Sequence, residues 1–181
     1  KLCGFAPRGV FVRVITGSQR GRRLMTLEGD SVRPTTDKVK ESIFNIIQFD
    51  VPSAKVIDLF AGSGQLGIEA LSRGAESCVF VDASSSSIAV VEENLKITGF
   101  REIAKTVRAD ALGYLDRVIE TYDIALLDPP YKAGLMEEAI ERVAPHINEN
   151  GVIVCETDSK EVLPEELEGF TSKRYKYGKI A

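Results

Sequence analysis

At 181 residues the chain has the length of one ordinary domain, which argues against a two-domain enzyme. Its 44% hydrophobic and 28% charged residues, with no apolar run approaching ~18 residues, describe a globular protein without a membrane span. The formal charge of −4 hides an asymmetry: residues 1–40 carry nine Lys/Arg against Glu28, Asp30 and Asp37, a net +6, leaving −10 for the remaining 141. Cys3, Cys78 and Cys155 are odd in number, widely spaced and without a C-x-x-C pair. That pattern argues against a disulfide scaffold or a zinc site and points to a reducing cytoplasm. Cys78 and Cys155 sit in short apolar runs and read as small buried hydrophobes.

Residues 1–10 are set aside as disordered or as an appended segment; Pro7, Arg8 and Arg13 interrupt the apolar stretch there, so no secretory signal forms. Residues 11–34 read as a basic β-hairpin arm, with strands over 11–16 and 23–27 joined by a turn over 17–22. The cluster Arg20, Arg22, Arg23, followed by Arg33, suits an RNA backbone, because neutralising phosphates needs only local cations. A solvated basic hairpin would account for the same residues. A helix then starts at Thr35 or Thr36, with Val39, Ile43, Ile46 and Ile47 at helical spacing and Asp37 favourable to the dipole of its first turn.

From residue 55 the chain alternates short apolar runs with helical stretches, the pattern of β-α-β units and a doubly wound, mainly parallel sheet. Strands are expected at 55–60, 77–82, 104–108, 122–127 and 151–156, and helices near 64–73, 85–98, 111–119 and 134–144. Gly74, Gly99 and Gly151 stand at stop positions, and the Ser84–Ser87 run is explained by N-capping. A further strand is expected over 171–176. Residues 35–181 thus form the main domain.

The first strand runs from Phe60 into Ala61-Gly62-Ser63-Gly64-Gln65-Leu66-Gly67, a G-x-G-x-x-G turn between strand and helix. Such a turn lets backbone approach a ligand at the carboxyl edge of a sheet, without naming that ligand. Asp82, followed by Ala83, ends the next strand 20 residues after Gly62 and suits ribose hydroxyls of a dinucleotide or an adenosyl cofactor alike. Asp58 tilts the choice: a carboxylate before the turn repels pyrophosphate, whereas S-adenosylmethionine carries an ammonium and a sulfonium. Asp110, followed by Ala111, is placed to accept from an adenine amine or, equally well, to cap a helix.

The apolar strand Ile124–Leu127 delivers Asp128-Pro129-Pro130-Tyr131 to the same edge. An exocyclic base amine is a poor nucleophile because its lone pair is delocalised into the ring. The Asp128 carboxylate and the Pro129 carbonyl can accept its two N–H bonds, while the prolines fix the backbone and add no donor. Tyr131 can stack on an unstacked base. Catalysis is then mainly alignment, and residue types leave open whether Asp128 or water takes the proton. An Asp-Pro pair is also an ordinary turn former; its place about 60 residues after a cofactor-type loop, in register with the sheet, favours the chemical reading.

Taken together the chain resembles the bacterial 16S ribosomal RNA guanine-N2 methyltransferases of the RsmD type over residues 12–181. The likeness rests on Arg13-Val14-Ile15-Thr16-Gly17 with Arg20-Gly21-Arg22-Arg23-Leu24, on the stretch from Arg33-Pro34-Thr35-Thr36-Asp37 to Glu41, on Asp58 to Gly67 with Glu69 to Ala75, and on Asp128 to Tyr131. It implies a class I methyltransferase fold of seven strands, the last antiparallel, binding S-adenosylmethionine and methylating one guanine of small-subunit rRNA. It further implies that Arg33 to Thr36 lies beside cofactor and target, with Thr35 and Thr36 near the donor. Tyr131 stands where some members have Phe, and the final strand is absent from the sequence. The expected cofactor set is therefore Thr35, Thr36, Asp58, Phe60, Ala61, Gly62, Ser63, Gly64, Asp82, Ala83, Asp110 and Ala111. A monomer acting on ribosomal RNA within the small subunit, with no metal, is the expected context.

A DNA adenine-N6 methyltransferase would share the motif order but normally adds a target-recognition segment. A glutamine methyltransferase usually has Asn at position 128, and a cytosine-C5 enzyme needs a cysteine nucleophile that no Cys here is placed to supply. An NAD-dependent oxidoreductase is weakened by Asp58 and by the distance of His146, the one histidine, from the loop. A non-catalytic RNA-binding module would leave Asp128 to Tyr131 idle.

Overall fold

The structure is a computed structural model describing residues 12–27, 37–130, 134–158, 163, 166–167 and 169–176. Thr35, Thr36, Arg33 and Tyr131 lie outside the described residues. The elements are β1 (Val12–Arg13), β2 (Arg23–Leu24), α1 (Asp37–Ile46), β3 (Lys55–Asp58), α2 (Gln65–Ser72), β4 (Ser77–Asp82), α3 (Ser85–Thr98), β5 (Ala104–Arg108), α4 (Ala111–Leu115), β6 (Tyr122–Leu127), α5 (Leu135–Val143), β7 (Ile147–Cys155), β8 (Glu166–Leu167) and β9 (Phe170–Thr171). Five strands pair in the order β5-β4-β3-β6-β7, all parallel. The chain winds outward from β3 through β4 to β5, then returns to lay β6 on the other flank of β3. A topological switch point between β3 and β6 follows, where open α/β sheets place their ligands.

Alternation along the strands explains why helices cover both faces. Val56, Cys78, Phe80, Ile124 and Leu126 enter one buried layer with residues of α2 and α3. Ile57, Leu59, Val81, Ala125 and Leu127 enter the other with Leu115 of α4 and Met136, Ala139 and Val143 of α5. β3, β4 and β6 are apolar on both faces, as strands inside a parallel sheet must be, whereas the edge strand β5 exposes Lys105 and Arg108. α3 is bounded as its sequence dictates: the Ser84 hydroxyl accepts from Ser87 N at 3.3 Å, and Gly99 closes the helix at φ 76°.

Several boundaries differ from the sequence reading. β7 starts at Ile147, and Gly151 is no helix stop: the β6–β7 register shifts between Tyr122 and Ile124. Asn150 has φ 64°, and a Cβ on Gly151 would lie 2.5 Å from Ile147 Cγ2, so this is the glycine of a bulge. In α1 it is Phe44 that is fully buried, whereas Ile46 is 44% exposed. The strand expected over 171–176 does not join the sheet. Among the described residues Phe170–Thr171 pairs antiparallel to Glu166–Leu167, and residues 171–176 are exposed throughout, unlike the strands buried in the parallel sheet. Cys78 is buried as expected; Cys155 is only partly so. Among the described residues no helix is long and apolar enough to cross a membrane.

The basic hairpin is bolted to the sheet layer through α2. Ser18 N donates to the Ser72 carbonyl at 2.8 Å, the Ser72 hydroxyl donates to Thr16 O at 2.6 Å, and Gln19 N donates back to that hydroxyl at 3.0 Å. The turn thereby satisfies a carbonyl that the end of α2 would otherwise leave open. Gly17, at φ 85°, approaches so closely that a Cβ would lie 1.8 Å from Ser72 O. One turn earlier, the fully buried Glu69 accepts from Ile15 N at 2.7 Å and Thr16 N at 2.9 Å. Arg73 Nε donates to the same carboxylate at 2.9 Å, and its guanidinium lies 5.0 Å from the Phe44 ring centroid. Lys40, fully buried, donates to Arg13 O at 2.7 Å, with its Nζ 4.0 Å from Glu69.

Candidate active site

The carboxyl ends of β3, β4, β5 and β6 bring together the residues that the sequence singles out. Ala61, Gly62, Ser63 and Gly64 form the turn from β3 into α2. Gly62 (φ 51°) and Gly64 (φ 76°) take left-handed conformations that L side chains rarely adopt. Among the described residues a Cβ on Gly62 would meet nothing nearer than 4.0 Å, so none of them fills that side of the turn. Gly64 and Gly67 do the opposite: a Cβ on Gly67 would lie 2.3 Å from the Phe80 ring and 2.8 Å from Cys78 Sγ. The third glycine of the motif thus lets α2 pack directly on β4.

Three amides of the turn have protein partners. Ala61 N donates to Val81 O at 3.0 Å, Gly64 N to Ala61 O at 2.6 Å, and Gly62 N to Asp82 Oδ2 at 2.9 Å. Asp82 Oδ1 accepts from Ser84 N at 2.8 Å. Both Asp82 oxygens are thereby aimed, and each retains a lone pair for a ribose hydroxyl. Asp58, 2% exposed, accepts from Gly67 N at 3.0 Å. Burial, aided by the neighbouring Asp82 charge and opposed by the Gly67 bond, pushes its carboxyl up to about 7. Two acidic side chains beside the turn suit a cationic, hydroxyl-bearing ligand and suit pyrophosphate poorly. The residues present therefore fit S-adenosylmethionine.

Asp110 realises the capping alternative: its Oδ2 accepts from Gly113 N at 2.9 Å at the start of α4. It is exposed, while Ala111 beside it is 5% exposed. Phe60 is half-buried and Ala83 exposed. On the far side of the switch point, Asp128 and Pro129 follow directly on the fully buried end of β6. Asp128 is partly exposed, Pro129 buried and Pro130 exposed. Leu127 O is pinned by Glu156 N at 2.8 Å, which fixes where the Asp128 peptide begins.

Two residues of this edge escape the sequence reading. Glu156 (4% exposed) and Thr157 (2%) leave β7 buried next to the end of β6. A polar pair immediately after Val152-Ile153-Val154-Cys155 is the signal that could have found them. His146 lies in the 3-10 turn at the amino end of β7, at the sheet edge opposite the glycine turn, where it serves no cofactor there. Arg20, Arg22 and Arg23 are exposed on the docked hairpin, away from the buried ends of β1 and β2.

The sheet order, the glycine turn with two carboxylates, and an Asp-Pro-Pro segment at the switch point define the class: S-adenosylmethionine-dependent methyltransferases. The family described as Conserved hypothetical protein 95 matches residues 12–181, and the chain belongs to that family. It is similar, at 44% identity over 85% of this chain and 86% of the relative, to the "Putative rRNA methyltransferase YlbH" of Bacillus subtilis. It is similar at 34% identity, over 84% of this chain and 81% of the other, to the ribosomal RNA small subunit methyltransferase D of Haemophilus influenzae. Among solved structures, the "Putative methyltransferase yhhF" of Escherichia coli superposes with a TM-score of 0.79 at 30% identity, covering 94% of each chain.

Proposed function

We propose that this chain transfers a methyl group from S-adenosylmethionine to the exocyclic N2 amine of a guanine in small-subunit ribosomal RNA. The observation that carries the chemistry is the placement of Asp128 and Pro129 across the switch point from the glycine turn. Donor and acceptor sites are then adjacent on one sheet edge. The RNA assignment draws on the names of the relatives and on the exposed arginines of the hairpin. Bound at the turn, S-adenosylmethionine supplies an electrophilic methyl on a sulfonium. Asp58 and Asp82 hold its cationic and ribose ends, Gly62 admits its backbone-side atoms, and Phe60, Ala61, Ser63, Ala83 and Ala111 form the walls, with Asp110 toward the adenine.

The Asp128 carboxylate and the Pro129 carbonyl accept the two N–H bonds of the target amine and favour its pyramidal form, while Pro130 holds the segment rigid. Tyr131 serves to stack on the base, and Thr35 and Thr36 belong to the donor-binding set. Arg20, Arg22, Arg23 and Arg33 bind phosphates of the RNA. The chain acts as a monomer in the cytoplasm, without a metal. Single-turnover methyl transfer tests the central residue: Asp128→Asn keeps the shape of the site but replaces one acceptor by a donor. It is expected to slow transfer by about 10²- to 10³-fold with donor affinity unchanged. A variant within a few-fold of wild type would remove Asp128 from the mechanism.

A further inference from the structure

Asn94, in the middle of α3, is fully buried and belongs to no part of the catalytic set. Its side chain is used at three points. Oδ1 accepts from Met25 N at 2.7 Å, and Nδ2 donates to Met25 O at 3.0 Å and to Ser63 O at 2.8 Å. The first two bonds do for the Met25 peptide groups what a neighbouring strand would do, at the point where β2 has ended and its pairing with β1 has run out. The third reaches into the glycine turn, to the residue between Gly62 and Gly64.

Only a primary amide offers two donors and an acceptor in one plane. Aspartate has no donor for the two carbonyls, serine has one, and glutamine's extra methylene has no room at a fully buried position. The amide therefore joins two segments of different duty: Met25 follows Arg22 and Arg23 of the basic hairpin by two to three residues, and Ser63 is part of the donor turn. A core asparagine serving stability alone needs partners, but has no reason to choose one from each of these segments.

We propose that Asn94 is a positioning residue that couples the basic hairpin to the methyl-donor turn, so that substrate RNA on the hairpin and donor at the turn strengthen each other's binding. This rests on the functional reading given above. Coupling is reciprocal: a bond that holds Ser63 in its binding geometry when the hairpin is held by RNA also holds the hairpin when the donor fixes the turn.

Equilibrium dialysis of radiolabelled S-adenosylhomocysteine against the full chain, with and without saturating small ribosomal subunits, measures this directly. Wild type is expected to bind about fivefold or more tightly when the subunits are present, the lower end of ordinary coupling. Asn94→Ala and Asn94→Ser are expected to bring that ratio to within about twofold of one. Val143→Ala, in the opposite buried layer and matched for loss of thermal stability, is expected to keep it, which a merely structural role for Asn94 would not predict. A ratio preserved in the Asn94 variants, or a ratio of one in wild type, overturns the coupling. Failure of wild type to bind S-adenosylhomocysteine or the subunits at all overturns the functional reading, and the coupling with it.

Hydrogen exchange in the wild-type chain decides the matter even if the variants do not fold. The Met25 amide, held by Asn94 Oδ1, is expected to exchange about fivefold more slowly when S-adenosylhomocysteine is bound. An unchanged rate counts against the proposal.

Discussion

Asp58, in the role proposed for it, carries both stability and binding. Its ordinary value is 3.8, and burial raises it to about 7 in the folded chain. The folded state therefore holds a proton that the unfolded chain releases between about pH 4 and 7. The resulting stabilisation is complete below pH 4 and is lost as pH rises through 7. The proposed binding has the opposite sign, since a donor ammonium held by Asp58 would select the ionised carboxylate. Between pH 5.5 and 7 the ionised fraction rises by about tenfold or more, and the affinity for S-adenosylmethionine, followed by calorimetry, is expected to rise with it. Asp58→Asn is expected to bind weakly with a flat profile; a wild-type affinity independent of pH over this range would contradict the role. Gly67 is a second single-residue case. A Cβ at this position would lie 2.3 Å from the Phe80 ring, so Gly67→Ala forces α2 off β4. Overpacking of this kind costs about 1–3 kcal/mol, which for a chain of this size lowers Tm by roughly 2–12 °C in a thermal melt.

At the level of elements, the hairpin is held by buried charge. Glu69 serves Ile15 N, Thr16 N and Arg73 in a position without solvent, and desolvation lowers the Lys40 ammonium below its ordinary value despite the nearby Glu69 charge. Removing one member leaves the others unpaired, so Glu69→Ala is expected to destabilise the fold by about 3–5 kcal/mol. It should also expose the Gly17–Arg22 turn to limited proteolysis; unchanged urea stability would refute this. In the sequence, β4, β5, β6 and α3 are legible to the residue, because apolar runs bounded by Gly, Ser or Asp leave one solution. The placing of the glycine turn, Asp82 and Asp128 on one edge is legible too. Glu69, Lys40 and Asn94 are not, since a polar residue on a helix reads as solvent-facing until its distant partners are known. Ile46 departs from expectation for the matching reason: helical spacing marks a face, but Phe44 occupies the core. Gly151 departs because a glycine serves a β-bulge as readily as a helix stop.

On the scale of the whole molecule, charge and chemistry are divided. The residues after position 40 are net acidic and carry the proposed catalytic edge, while the segment before them is net basic; in the function proposed above, its exposed arginines Arg20, Arg22 and Arg23 meet the nucleic acid. Binding to RNA should therefore weaken steeply with salt. Replacing Arg20, Arg22 and Arg23 together by Ala is expected to lower the slope of log affinity against log salt by about 2–3, measured by filter binding, without changing donor affinity. An unaltered slope would place the RNA elsewhere. Unmethylated small ribosomal subunits, naked rRNA, DNA and protein are incubated with wild type or Asp128→Ala and S-adenosylmethionine labelled in its methyl group, and the products are digested to nucleosides or amino acids. The account predicts label in N2-methylguanosine of small-subunit rRNA with wild type and near-background incorporation with Asp128→Ala. Label confined to DNA or protein, or retained in full by Asp128→Ala, would contradict it.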